Sequence, residues 1–504
     1  MKNKNLWMCA AAALVAAAAL AGCGTTTYFA GRALPPSGLA NRVLIALQNP
    51  SALATGSVQI VDAFYDIRCK YDSANCSGPA FSVSGFSGNL PYSIQNMPEE
   101  LTGAVYSSGD GSLAQLNYAG EKTISAVSGL NGASSSIFIT RNQTYIFAAS
   151  QGSHVLTVVD KSATNAGSYP LSLPGVYRVS VNPGGSVALA FVQNSNYVYY
   201  PVKLTSAETI AYAGGPGNWP NAAEDCEPQS SPGWCLFQAQ SPDSVDKTGN
   251  YYGAPLVFNR PVKAVFSADG GTAYVLNCGP ECGGTAASIT PLPVAPMIYL
   301  VGQKSGALPT QNALNTNCAT VSSTSGCTIP VPGGASNALI ASSTMYVVGQ
   351  QQMPDGFFGG HLTAVNLQNN TVVPSTGTVP NPVSISDGAP GAVSRMIEAD
   401  DNTLWIGMKD CSNGERANNN LPYGCLTMVN TTTNAVTLMP YLGDATGIAA
   451  ITGLNKIYTV EGGQVYIYST VDGSAINNQY VAVTGTAYDV VYMDATSDAN
   501  NTVY

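Results

Sequence analysis

One short unit recurs along most of this chain, and it limits the fold more than any other feature. An apolar strand leads into a tight Asp, Asn or Gly turn, and a second apolar strand leaves it. Copies read VNPGGSVALAF from Val181, VFSADGGTAYVLN from Val265, IFITRNQTYIFAA from Ile137 and IEADDNTLWIGM from Ile397. Such turn residues tolerate the left-handed backbone that a short hairpin demands. A third strand follows, as in VLTVVD from Val155, LTAVNL from Leu362 and VYIYS from Val465. A fourth, more variable strand closes the unit, as in SYPLSL from Ser168. Four short strands repeated at roughly 40 residues predict an all-β chain folded as a single β-propeller. The abundance of turn formers, 52 Gly and 31 Pro in 504 residues, agrees with many short strands.

Eight first strands are legible, near Ser93, Ser135, Tyr177, Val262, Asn337, Val393, Thr446 and Tyr488. The last unit ends after its first strand or two, and the first begins in mid-unit with VLIALQ from Val43, VQIVD from Val58 and FSVS from Phe81. These partial units complement each other. The expectation is a ring closed by N- and C-terminal strands sharing one blade, which removes open sheet edges. The count gives eight four-stranded blades, or seven if one degenerate unit is misread.

The wording of the units resembles the YVTN family of propeller repeats, which run strand, "spDG", "lYVaN", "vsVID". The segment from Gln151 to Asp160, QGSHVLTVVD, is the nearest match, and degenerate copies cover most of residues 81–504. The resemblance implies a propeller; some members of that class are sugar lactonases. No Trp-Asp pair recurs as in WD40 repeats. Trp219, Trp234 and Trp405 are too few for the docking motif of PQQ-type propellers.

The chain opens with Lys2 and Lys4, an apolar run from Leu6 to Leu20, and then Leu20-Ala21-Gly22-Cys23. This reads as a signal peptide over residues 1–22. Its ending resembles the bacterial lipobox, which implies lipidation at Cys23 and attachment to a membrane through that lipid. Gly24 follows the Cys where an Asp would favour inner-membrane retention, so the resemblance points to the outer membrane of the cell envelope. Residues 23–41 read as a flexible tether and 42–504 as the propeller.

Ten of the twelve Cys lie outside the leader and the lipobox, in close pairs: Cys69 and Cys76, Cys226 and Cys235, Cys278 and Cys282, Cys318 and Cys327, Cys411 and Cys425. An even count in an exported chain suggests disulfides, and short loops favour sequential pairing. Cys278-Gly-Pro-Glu-Cys282 supplies only half of a zinc site, and His154 and His361 are the only histidines. The pairs fall in or beside loop insertions, read as c–d connections at 66–79, 205–254 and 295–327 and b–c connections at 278–285, 351–360 and 410–424.

The sequence carries no catalytic set, cofactor fingerprint or metal site. No Gly-x-Ser-x-Gly elbow or phosphate loop accompanies His154 or His361, which read as structural. Glu398, Asp400 and Asp401 read as a turn and lack EF-hand spacing. A formal charge of −10 with only 10% charged residues argues against nucleic acid as a partner. The expectation is therefore a binding or protein-interaction module at the cell envelope that takes a protein or small ligand at one propeller face. The alternatives are a lactonase- or hydrolase-like enzyme and an envelope-assembly scaffold. Met353, Phe357, Phe358 and Tyr423 on the b–c insertions are the candidate partner surface. Arg141, Arg178, Arg260 and Arg395, near the first strands, are the candidates for a charged channel mouth.

Overall fold

The computed structural model describes residues 34–496, apart from 50, 52–53, 69–80, 132, 163–165, 205–223, 228–232, 240–255, 295–327, 355, 357, 377–378, 386–391, 412–422, 442, 482 and 484. Regular structure among these residues is β-strand with a few short 3-10 turns. The strands form eight separate antiparallel sheets, which are the blades of an eight-bladed propeller. The eight-blade count therefore holds, and every first strand read from the sequence falls where it was placed.

Blade 1 is made from both ends of the chain. Its inner strand is Thr486–Tyr492, paired with Arg42–Gln48 and then Ser57–Asp62. An isolated bridge from Gln59 to Ser82 adds the outer edge. The inner strands of blades 2 to 8 are Pro91–Met97, Ser136–Ile139, Val176–Val181, Pro261–Phe266, Asn337–Ala341, Ala392–Ala399 and Ala445–Ile451.

Alternation in the strands explains the packing. Side chains of successive strand residues point to opposite faces, so each blade feeds two interfaces. In Arg42–Gln48, Val43, Ile45 and Leu47 pack with blade 8, while Leu44 and Ala46 pack with blade 2. The buried apolar residues accordingly form eight clusters, one at each blade boundary.

The closure is locked by charge. Arg42 is buried, and its Nη2 lies 2.6 Å from Asp494 Oδ1 while its Nη1 lies 3.0 Å from Glu121 Oε1. Nη1 also donates to the Tyr118 carbonyl at 2.6 Å. Glu121 in turn accepts from the Ser37 backbone N–H and hydroxyl, at 2.8 and 2.6 Å. Ser37 and Leu39 are buried. The end of the segment read as a flexible tether is thus docked on blades 1 and 2, because Ser37 and Leu39 have partners there.

The structure revises several loop assignments. The insertion at 205–254 contains two strands of blade 4. Gly233–Gln238 pairs with Val198–Leu204 as the fourth strand, and Asp225–Glu227 adds a fifth. Cys226 and Cys235 are disulfide-bonded across those two strands and buried in the cluster between blades 4 and 5. That bridge belongs to the core and does not staple a loose loop. Cys278 and Cys282 are bonded in the short turn after Thr272–Asn277, and Cys425 is also disulfide-bonded. Cys411 ends its strand opposite Tyr423, two residues before Cys425 on the neighbouring strand. Cys23, Cys69, Cys76, Cys318 and Cys327 lie outside the described residues. The ends of 351–360 and 410–424 are strand: Thr344–Gln352 pairs with Phe358–Asn366, and Thr403–Cys411 with Tyr423–Asn430, while 412–422 lie outside the described residues. His361 sits within Phe358–Asn366, where its Nδ1 meets the Gly359 carbonyl at 2.9 Å.

Candidate ligand site at the channel mouth

The inner strands share one irregularity that aims their side chains at the axis. Pairing with the next strand shifts by one residue between Pro91 and Ser93, Val176 and Arg178, Pro261 and Lys263, Val393 and Arg395, and Ala445 and Gly447. In blade 1 the shift skips Tyr488, between Ala487 and Asp489. Blades 3 and 6 have the same geometry, because the Ser135 and Ser336 N–H groups bond the carbonyl opposite the next residue. A bulge of this kind leaves one residue unpaired and re-aims its neighbours.

Two tiers of eight positions result. The bulged residues are Tyr92, Ser135, Tyr177, Val262, Ser336, Ser394, Thr446 and Tyr488, seven of which carry a hydroxyl. They lie near the start of each inner strand, on the side of the ring that carries the b–c and d–a connections. Most are partly exposed and form a crown at the channel mouth. Tyr92 and Tyr488 are in ring contact at 4.5 Å, and Lys409 Nζ lies 6.0 Å from the Tyr488 ring centre.

The next residue of each strand forms the tier below: Ser93, Ser136, Arg178, Lys263, Asn337, Arg395, Gly447 and Asp489. All but Arg178 and Gly447 appear among the buried polar residues. Arg395 forms an ion pair with Asp489 across blade 8. Asp489 also accepts from the Ile94 N–H at 2.7 Å, which ties blade 1 to blade 2. Lys263 donates to Asn337 at 2.8 Å. Arg178 lies over the Tyr177 ring at 5.6 Å, and both approach the Val262 carbonyl, the guanidinium at 3.5 Å and the hydroxyl at 3.2 Å.

Electrostatics follow from burial. Lys263 is pushed down to about 7, first by burial and then by the guanidiniums of Arg178 and Arg395. Asp489 is pushed up to about 6 by burial, with Arg395 acting in the opposite direction. The lower tier brings together three basic side chains and one carboxylate.

Of the four arginines singled out from sequence, Arg178 and Arg395 reach this tier. Arg141 does not; it is on an exposed turn with Glu99 at 3.5 Å. Arg260 does not either, because its left-handed backbone turns it outward to the Asn194 carbonyl. Lys263 was missed, and aligning the residue after each bulge would have found it. Met353 and Phe358 are half-buried on the blade 6 hairpin and Tyr423 begins a strand of blade 7, while Phe357 lies outside the described residues. Asp400 caps backbone N–H groups of Gly453 and Asn455, and Asp401 accepts from Thr470, so their carboxylates serve turns. His154 occupies an exposed left-handed turn. A cleft of about 590 Å³ between blades 5 and 6 is lined by Pro280, Pro332, Gln350 and Gln352 among others, and by no residue of either tier.

No family model matches the sequence, and no curated protein matches it. Solved structures do. A dihydro-heme d1 dehydrogenase in complex with its ligand is 9% identical with a TM-score of 0.48, over 90% of this chain and 75% of that one. AztD from Citrobacter koseri in its apo form is 13% identical with a TM-score of 0.42, over 90% and 97%. A candidate 6-phosphogluconolactonase from Bacteroides fragilis is 11% identical with a TM-score of 0.39, over 80% and 95%. The eight-bladed ring is read from the strand pairing of this chain itself.

Proposed function

We propose that this chain is a lipid-anchored binding module of the cell envelope that holds its ligand at the channel mouth on the b–c and d–a face. The observation that carries this reading is the two-tier convergence, a hydroxyl and aromatic crown above a charged ring, drawn from all eight blades. Rigid strands with one preset polar residue each suit recognition, because little ordering is left to oppose binding. The docked segment around Ser37 leads into Arg42 on the opposite, a–b side of the ring. A lipid on Cys23 would therefore leave the mouth facing away from the bilayer.

Two measurements test the proposal. Cys23→Ser should release the protein from envelope membranes; continued membrane association of an unprocessed chain counts against the anchor. A thermal-shift screen of the purified propeller against sugars, organic acids and peptides should yield a stabilising ligand whose effect is lost in Tyr92→Ala. Hits that are indifferent to Tyr92→Ala would remove the mouth as the site. A second reading, a lactonase-like hydrolase, is favoured by Lys263, whose amine is partly neutral near pH 7. Turnover of a sugar lactone that disappears in Lys263→Met would establish it in place of the first.

A further inference from the structure

The ring beneath the crown is short of negative charge. Arg395 has Asp489, but Lys263 has only the amide oxygen of Asn337 among the described residues. Among the described residues, Arg178 likewise has only a carbonyl at 3.5 Å and the face of Tyr177. Lys263 is the buried one of the two, and a buried cation without a counter-charge is costly to fold around. The chain is acidic and holds nineteen Lys and Arg in 504 residues, so three in one eight-membered ring is far above chance. Lys409 adds a fourth cation at the crown.

Resting on the reading of the mouth as a binding site, we infer that Arg178 and Lys263 hold an oxyanion group, a carboxylate or phosphate, borne by a small hydroxylated ligand. Two charge-bearing donors on adjacent blades match the spread oxygens of such a group, and charge-assisted hydrogen bonds of this kind are short and strong. The Arg395–Asp489 pair forms the far wall and fixes the ring between blades 7 and 1. Above, Tyr92 and Tyr488 offer aromatic faces for the carbon skeleton, and the hydroxyl oxygens of Tyr177, Ser135, Ser336 and Ser394, which donate to backbone carbonyls, remain as acceptors for ligand hydroxyls. Bound anion would also supply the missing counter-charge, so occupancy and ring stability are coupled.

Titration calorimetry at low ionic strength with gluconate, inorganic phosphate and neutral glucose tests the inference. Gluconate or phosphate should bind, and the stronger of the two identifies the oxyanion. Lys263→Met and Arg178→Met should each weaken that binding at least 10-fold, a loss of about 1.4 kcal/mol. Lys263→Met should also raise the Tm of the ligand-free protein below pH 7, where the buried amine carries its charge without a carboxylate partner; a misfolded variant would not do so. Lys263→Arg should restore part of the affinity. The inference is overturned if neither anion binds the wild-type protein, or if the methionine variants bind as well as wild type. Glucose binding that Tyr92→Ala abolishes and Lys263→Met spares would overturn the oxyanion and leave the mouth as the ligand site. Anion binding that Lys263→Met abolishes and Tyr92→Ala spares would keep the oxyanion and remove the crown.

Discussion

Single residues carry unusual weight here because the chain uses so few charges. Arg42 is the clearest case. Its guanidinium serves Asp494 near the C-terminal end and Glu121 in blade 2, and all three are buried. Arg42→Met would leave two carboxylates buried without a cation, which costs about 3–5 kcal/mol for pairs of this kind. Urea denaturation should show a loss of that size, with Arg42→Lys losing less. Glu461 makes the opposite case. Its Oε1 accepts from Thr459 and Tyr468 at 2.8 and 2.9 Å, while its Oε2 has no partner among the described residues. Burial pushes it up to about 7. A group raised in the folded state binds a proton that the unfolded chain has already released. Its contribution is therefore complete below about pH 4.5 and is lost as pH rises through 7. Glu461→Gln should add about 1–3 kcal/mol at pH 8 and almost nothing at pH 4.5. Chemical denaturation at the two pH values checks this; an equal effect at both would refute the assignment.

At the scale of elements, the inner strand of blade 8 stands apart because it is small. Ala445, Thr446 and Gly447 leave room for blade 7 to reach past it, so Arg395 pairs with Asp489 and Lys409 approaches Tyr488. A Cβ on Gly447 would sit 2.7 Å from the Val490 nitrogen and 2.9 Å from Asp489 Oδ1. Gly447→Ala should therefore push blade 1 outward, cost about 1–3 kcal/mol, and weaken any ligand that depends on the ring. A thermal melt together with the gluconate and phosphate titrations reads both effects. This arrangement also shows how much was legible beforehand. Inner strands were located correctly because hairpin turns and apolar alternation are local properties. The charged ring was not, because no single unit displays it. Lys263 looks ordinary in VFSADGGTAYVLN and its approach, and only the shared bulge places it level with Arg178 and Arg395. Arg141 and Arg260 misled for the same reason: both lie close in sequence to an inner strand, yet backbone turns carry them to the surface. The fourth strand of blade 4, Gly233–Gln238, was hidden inside what read as a loop, although its run of Trp234, Leu236 and Phe237 had the composition of a buried strand.

The whole molecule is held by its eight blade boundaries together and has no single central core, so the axis is free to be polar. That division assigns different work to the two faces. On the b–c side stand the crown, the charged ring beneath it and the three consecutive hairpins of blades 5 to 7. On the a–b side the chain enters at Arg42, and there Leu34, Phe64, Tyr65 and Val471 are exposed large apolar residues. Phe64 and Tyr65 are in edge contact at 4.8 Å, and Asp66 beside them is held by Lys456 at 2.7 Å. Aromatic and aliphatic side chains of this kind partition to the interface of a bilayer. If a lipid on Cys23 tethers the ring, this face is the one that rests against the membrane. Leu34 lies eleven residues after Cys23, a span of at most about 40 Å when fully extended, so on such a tether the entry face would stay near the surface. A fluorophore placed through Val471→Cys in the lipidated protein should be quenched by a quencher carried on lipid headgroups, whereas one at Gly356→Cys, on the blade 6 hairpin, should not. Equal quenching at both positions would mean that the ring tumbles freely on its tether, and stronger quenching at 356 that the mouth faces the bilayer. The predicted order, entry face down and mouth outward, is the one in which a small anion from the surrounding compartment reaches Arg178 and Lys263 without crossing the lipid surface.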